Sequence, residues 1–129
     1  MKKTNWKLLW ILILILLGFC LSVRVIEADP PPPTKLDHIL NVLAWCESGN
    51  NPNALNPKDG GSPSYGLLQW KEASFFYYNE KHKVLPDIER GEVLNIIMDA
   101  TAQRMLAKEV LQEPNGWRNW YNCLKSRYQ

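Results

Sequence analysis

The chain has 129 residues with 15 Lys plus Arg, 13 Asp plus Glu and three cysteines, enough for one small domain and a short appendage. The formal charge of +2 sits at the N-terminus, where Lys2, Lys3, Lys7 and Arg24 outnumber Glu27 and Asp29; Thr34 to Gln129 carries eleven basic and eleven acidic residues. A neutral domain gives nucleic-acid binding no support, and no His/Cys cluster stands at zinc-ligand spacing, so neither metal nor cofactor is expected.

In chain order, residues 1–28 read as a signal anchor or signal peptide, with a basic start and an apolar run from Leu8 to Val23. The run is slightly long for a cleaved signal and slightly short for a span, although Lys7 and Arg24 can snorkel to widen it. Ala28 could precede a cut, but Ile26 is bulky where a small residue is usual. Phe19 before Cys20 argues against a lipoprotein-type cut. Residues 29–33, Asp29 and four prolines, form a stiff polyproline spacer. The domain is expected over 34–129, outside the cytoplasm, either anchored to the membrane through residues 8–23 or secreted.

Thr34 is a predicted N-cap with Asp37 as its capping-box partner. Leu36, Ile39, Leu40 and Leu43 then follow at helical spacing, and Glu47 continues their buried face. Ser48-Gly49 stops the helix. Asn50 to Pro63 is predicted to be a structured loop or a very short hairpin, with the turn signal Asp59-Gly60-Gly61. An aromatic-rich helix is expected over Lys71–Asn79. Leu94, Ile97, Met98, Ala102, Met105, Leu106 and Val110 mark a long amphipathic helix within 93–112, with a break expected near Asp99. Trp117, Trp120 and Cys123 recur at every third residue on a short terminal helix. The fold class is therefore mainly α, with little or no sheet. His38 and His82 are expected to be solvated.

Two cysteines fall in the domain, Cys46 and Cys123. In an oxidising compartment such a pair reads as a disulfide, the alternative being two separate buried thiols.

A carboxyl on the apolar side of a helix end is hard to ionise, because burial and the negative end of the helix dipole both oppose the charge. Such an acid can deliver a proton to a glycosidic oxygen. The other reading of Glu47 is an ordinary exposed residue at a frayed helix end.

The run C-E-S-G-N-N-P-N-A-L-N from Cys46, followed by S-Y-G-L-L-Q from Ser64 to Gln69, resembles the lysozyme-like superfamily. It is most similar to lytic transglycosylase domains of the SLT type and to the resuscitation-promoting factors. Gly116, Trp117, Trp120 and Cys123 match the G-W-x-x-W-x-x-C ending of the latter, and the resemblance spans Leu36–Leu124 with no motif in 72–92. It implies a lysozyme-like domain with a cleft, Glu47 as the catalytic residue, and Ser64, Tyr65, Gly66 and Gln69 as the turn below the scissile bond. It also implies a Cys46–Cys123 disulfide between the catalytic and terminal helices. Gly66 would let backbone approach a sugar, and Tyr65 and Gln69 would hydrogen-bond it. Trp70, Trp117 and Trp120 are candidate sugar platforms, with core packing the competing role for at least two of them.

Ser64 stands where animal-type lysozymes carry an aspartate. Of the acids between Glu47 and Gln69 there is only Asp59, expected to be a turn residue. A single carboxylate fits a lytic transglycosylase, a monomer acting on peptidoglycan strands and leaving 1,6-anhydro-muramyl ends. The alternatives are a hydrolytic lysozyme using Glu47 with Asp59 or an activated water, a catalytically weak wall-binding or signalling module, and part of an envelope-spanning machine. An aspartate introduced at Ser64 is expected to be tolerated.

Overall fold

Local chemistry sets the first helix, α1 (Lys35–Ser48), at both ends. The Thr34 hydroxyl accepts from the Asp37 N–H at 3.2 Å, and the Asp37 carboxylate accepts from the Thr34 N–H at 2.9 Å, a complete capping box. Lys108 adds an ion pair to Asp37 at 2.6 Å, and these partners hold the Asp37 carboxyl well below the usual carboxylate range. At the far end Gly49 adopts φ +63, and its N–H with that of Asn50 caps the carbonyls of Ala44 and Trp45.

The structure, a computed structural model, describes residues 31–128. The predicted segment Leu8–Val23 lies outside these residues. Among the described residues no helix is long and apolar enough to cross a membrane.

After α1 come two two-residue strands, β1 (Leu55–Asn56) and β2 (Ser64–Tyr65), antiparallel with Leu55 opposite Tyr65 and Asn56 opposite Ser64. The expected loop is thus a very short hairpin, and it is the sheet of this mainly helical domain. Helix α2 (Glu72–His82) follows, then a 3-10 turn at Arg90–Glu92, the short α3 (Val93–Ile96), α4 (Ala100–Gln112), a 3-10 segment at Gly116–Trp120, and α5 (Tyr121–Tyr128). The long helix expected within 93–112 does break at Asp99, whose side chain accepts from the Ala102 N–H at 2.7 Å and so starts α4 afresh.

The core gathers Leu40, Leu43 and Ala44 of α1, Phe75 of α2, Val93 and Ile97, and Leu106, Ala107 and Val110 of α4, all fully buried. Pro33–Gln129 packs as a unit by itself. Leu94 and Met105, assigned to the apolar stripe from sequence, are instead exposed. The break at Asp99 resets the helical phase, and on α4 the inward position beside Leu106 belongs to Gln103, which is fully buried.

The terminal segment begins as a 3-10 helix and not as an α-helix. Its three residues per turn match the Trp117–Trp120 spacing, while Cys123 already lies on α5. Gly116 is required at its start, since a Cβ there would run into the Val110 carbonyl oxygen.

His82 is not solvated as expected. It is partly buried, stacks on Tyr78 and contacts the Glu113 carboxylate, which Lys81 also pairs at 2.7 Å. Those partners, Lys81 first, hold the Glu113 carboxyl below its ordinary value. The sequence signal was present but cryptic: Glu113 ends α4, a separation of 31 residues from His82. His38 is exposed, as expected.

The Cys46–Cys123 disulfide joins α1 to α5 across 77 residues. Cross-linking a loop of that length stabilises by about 4 kcal/mol on the chain-entropy account. Reduction of the oxidised protein is therefore expected to lower Tm by roughly 20 °C in differential scanning calorimetry. An unchanged Tm, or two free thiols titrated in protein prepared under oxidising conditions, would contradict this.

Candidate active site

Glu47 occupies the last turn of α1, and the residues after it fix that turn onto the hairpin. The Ser48 hydroxyl lies 2.8 Å from the Leu67 carbonyl and 3.0 Å from that of Ala44, and it accepts from the Asn51 N–H at 3.1 Å. One small side chain thus caps the helix and docks it to the Ser64–Gln69 turn. Ser48 was legible in the C-E-S-G run only as a helix stop.

The Ser64–Gln69 turn is closed by its own atoms. Tyr65 and Trp70 exchange backbone bonds at 2.9 and 3.0 Å, and the Gly66 N–H donates to the Ala54 carbonyl at 2.7 Å. The Gln69 amide donates to the Gly66 carbonyl at 2.8 Å and accepts from the Ser64 hydroxyl at 2.9 Å. Gln69 lines the cleft, yet these amide bonds hold the turn's own shape. Gly66, at φ +71, does give its backbone a close approach, but to protein: a Cβ there would overlap the Gln103 side-chain amide.

Gln103 is the positioning residue that the sequence reading passed over. Its Nε2 donates to the carbonyls of Tyr65, at 2.8 Å, and Ile97, while its Oε1 accepts from the Leu68 N–H at 2.7 Å. Both donors and the acceptor of a fully buried amide are satisfied, as burial demands. The only sequence signal is its spacing, since 99, 103, 106 and 110 share one helix face.

Ser64 is 1% exposed. This overturns the expectation that aspartate would be tolerated there. A carboxylate at 64 would be buried against the Gln69 carbonyl oxygen, and rotating that amide would break its bond to Gly66. Ser64→Asp is expected to cost about 2–3 kcal/mol in denaturant unfolding; unaltered stability would show that the turn adapts.

A cleft of about 340 Å³ opens beside Glu47, with Asp59, Gln69, Lys71, Arg118 and Tyr121 among its walls. Asp59 is a turn residue, its carbonyl accepting from the Ser62 N–H at 3.3 Å, but it also faces this cleft. The Lys71 ammonium binds the Asp59 carbonyl at 2.6 Å and lies 3.7 Å from its carboxylate. Burial, and secondarily the negative charge of Asp59, push the Glu47 carboxyl above its ordinary value. Glu47 is thus partly buried and not the frayed, exposed residue of the alternative reading.

Of the three tryptophans, Trp70 and Trp120 are core residues, 3% and 5% exposed, that line the cleft with little open surface. Their rings meet edge to face at 5.1 Å, and the Trp120 indole N–H donates to the Leu68 carbonyl at 3.0 Å. Trp117 is partly buried, outside the cleft walls, and stacks on Tyr121 at 5.8 Å. Tyr121, Lys71 and Arg118 are cleft residues that sequence reasoning left unassigned, and Asp59, expected to be a turn residue and weighed as a partner of Glu47 only in the hydrolase alternative, lines the cleft with them.

Among the described residues, one set of potential metal ligands lies close together, Cys46, Glu47 and Cys123. The two sulfurs are bonded to each other, so this set supplies no thiolate.

No family model, no curated protein and no solved structure matches this chain.

Proposed function

We propose that the protein cleaves the MurNAc–GlcNAc bond of peptidoglycan as a lytic transglycosylase, with Glu47 as its catalytic residue. The observation that carries this reading is a single glutamate, partly buried at a helix end, whose carboxyl faces a cleft and resists ionisation. A carboxyl of that kind keeps its proton nearer neutrality and can pass it to the leaving glycosidic oxygen. The resulting carboxylate then takes the proton of the muramyl C6 hydroxyl, whose oxygen closes on C1 to give the 1,6-anhydro ring without water. The resemblance in Cys46–Asn56 and Ser64–Gln69 supports the same assignment and implies that the substrate's N-acetyl group stabilises the oxocarbenium-like state. The disulfide suits an extracytoplasmic domain, anchored or secreted.

A second reading, hydrolysis, is favoured by one observation: the Asp59 carboxylate faces the same cleft and its charge reaches Glu47. A hydrolase needs such a partner to stabilise the cation or activate water.

Mass spectrometry of fragments released from purified peptidoglycan by the oxidised protein separates the two. Anhydro-muramyl ends are expected, one water lighter than hydrolytic ends. Reducing ends would transfer the assignment to a Glu47–Asp59 hydrolase. No fragments, with the protein still sedimenting with the wall, would replace both by a wall-binding module.

A further inference from the structure

Glu47 has a neighbour that proton transfer to a glycosidic oxygen does not by itself require. Its Oε1 lies 2.9 Å from the Cys123 sulfur, and a carboxylate oxygen of Glu47 and both disulfide sulfurs lie within 4.8 Å of one another. Cys123 is bonded to Cys46, so its sulfur carries no hydrogen and can act only as a weak acceptor. A proton shared in this contact must be the carboxyl's own. With that proton lost, the contact holds no hydrogen and the carboxylate gains no hydrogen bond from the sulfur.

Reduction inverts the contact. A dithiol supplies two electrons and two protons; the Cys46–Cys123 bond breaks, each sulfur gains one hydrogen, and the dithiol closes to its own disulfide. Cys46 is exposed, so a reductant can reach the bond. The Cys123 sulfur then carries an S–H within reach of the same oxygen, and a donor favours the ionised carboxyl.

We propose that Cys123 is a positioning residue of the acid: as a disulfide its sulfur only accepts and keeps the proton on Glu47, whereas as a thiol it donates and silences the acid. The proposal rests on Glu47 being the proton donor of the cleavage reaction. It differs from a purely mechanical role of the disulfide, which would make every way of removing the bond equivalent.

Two variants of the full chain separate these roles, because both lack the bond. Cys46→Ala leaves a thiol at position 123, and Cys46→Ala/Cys123→Ala leaves no donor there. Glutamate carboxyl carbons are labelled with 13C and titrated by NMR, the Glu47 signal being the one lost in Glu47→Gln. Glu47 of the single variant is expected to titrate at lower pH than Glu47 of the double variant, with the oxidised wild type above the single. In peptidoglycan cleavage near neutral pH the double variant should exceed the single one several-fold, although it has lost one more native side chain. Equal midpoints in the two variants overturn the proposal and leave the disulfide as a brace.

Should neither variant fold, infrared difference spectra of oxidised wild type against Glu47→Gln, both of which keep the bond, decide the matter. A protonated-carboxyl band at the high frequency of a weakly partnered carboxyl supports the sulfur contact; one at the frequency of a water-bonded carboxyl overturns it. The spectroscopic readouts do not depend on turnover. The expected order of midpoints in a protein that never cleaves peptidoglycan would sink the enzyme assignment alone.

Discussion

Glu47→Gln is expected to abolish peptidoglycan cleavage, by 10²-fold or more on the usual scale of a lost general acid, while making the folded protein more stable near neutral pH. The two effects share one cause. The carboxyl is partly buried beside the Asp59 charge and the disulfide, so ionising it opposes folding. Its folded-state pKa lies above the ordinary value of 4.5. The folded protein therefore binds the proton more tightly than the unfolded chain does. Below pH 4.5 both states are protonated and the carboxyl imposes no penalty. As pH rises from 4.5 to the raised value, the wild type loses stability, and above it the penalty is complete. Glutamine has nearly the same shape and no charge, so the variant lacks this slope. The check is a pair of urea titrations, at pH 4 and pH 7, with cleavage measured alongside. A variant less stable than wild type at pH 7 would mean that the carboxylate makes a favourable bond in the folded state. Near-wild-type cleavage would remove Glu47 from catalysis.

Gln103→Met, a substitution that touches no cleft wall, is expected to cost about 3–5 kcal/mol of stability. Methionine nearly keeps the volume, so the cost comes from hydrogen bonds and not from a cavity. The Ile97 carbonyl and the Leu68 N–H lose the Gln103 amide at once, and the Tyr65 carbonyl is left with only its bond from the Trp70 N–H. Each buried group left unpaired costs about 1–3 kcal/mol, less where water reaches it. For a domain of this size the fall in Tm is roughly 20 °C. Cleavage should drop as well, since the Ser64–Gln69 turn loses the amide that clamps it from behind. Calorimetry with a parallel activity assay tests both. A loss below 1 kcal/mol would show that water or a shifted turn satisfies these groups.

Glu47 and Gln103 illustrate how far the sequence could be read. Glu47 was a candidate because it extends the spacing of Leu40 and Leu43 before a Ser-Gly stop; that spacing left an exposed helix end equally open, and the resemblance carried by Ser64–Gln69 chose between them. Gln103 was not. Its partners lie 6 to 38 residues away, and in sequence it is one glutamine in a helix of mixed polarity. Asp59 falls between the two. Asp-Gly-Gly announces a turn, and the turn is there, but that its carboxylate shares a cleft with Glu47 depends on how the hairpin folds back over α1. The tryptophans needed the structure for the same reason: spacing placed Trp117 and Trp120 on one helix, while packing buried Trp120 against Trp70 and stacked Trp117 on Tyr121.

The sequence by itself determined the mainly helical class, the capped start of α1 at Thr34, its glycine stop, the break at Asp99 and the spacing that sets Glu47 in register with Leu40 and Leu43. These depend on contacts within about four residues, where backbone hydrogen bonding and side-chain spacing act directly. Only the tertiary structure decided what surrounds Glu47: the Cys123 sulfur from α5, the Asp59 carboxylate from the hairpin, and the turn that Gln103 holds from α4. Those neighbours come from chain segments far apart in sequence, and their effect on a carboxyl follows from distance and burial, which exist only once the chain has packed.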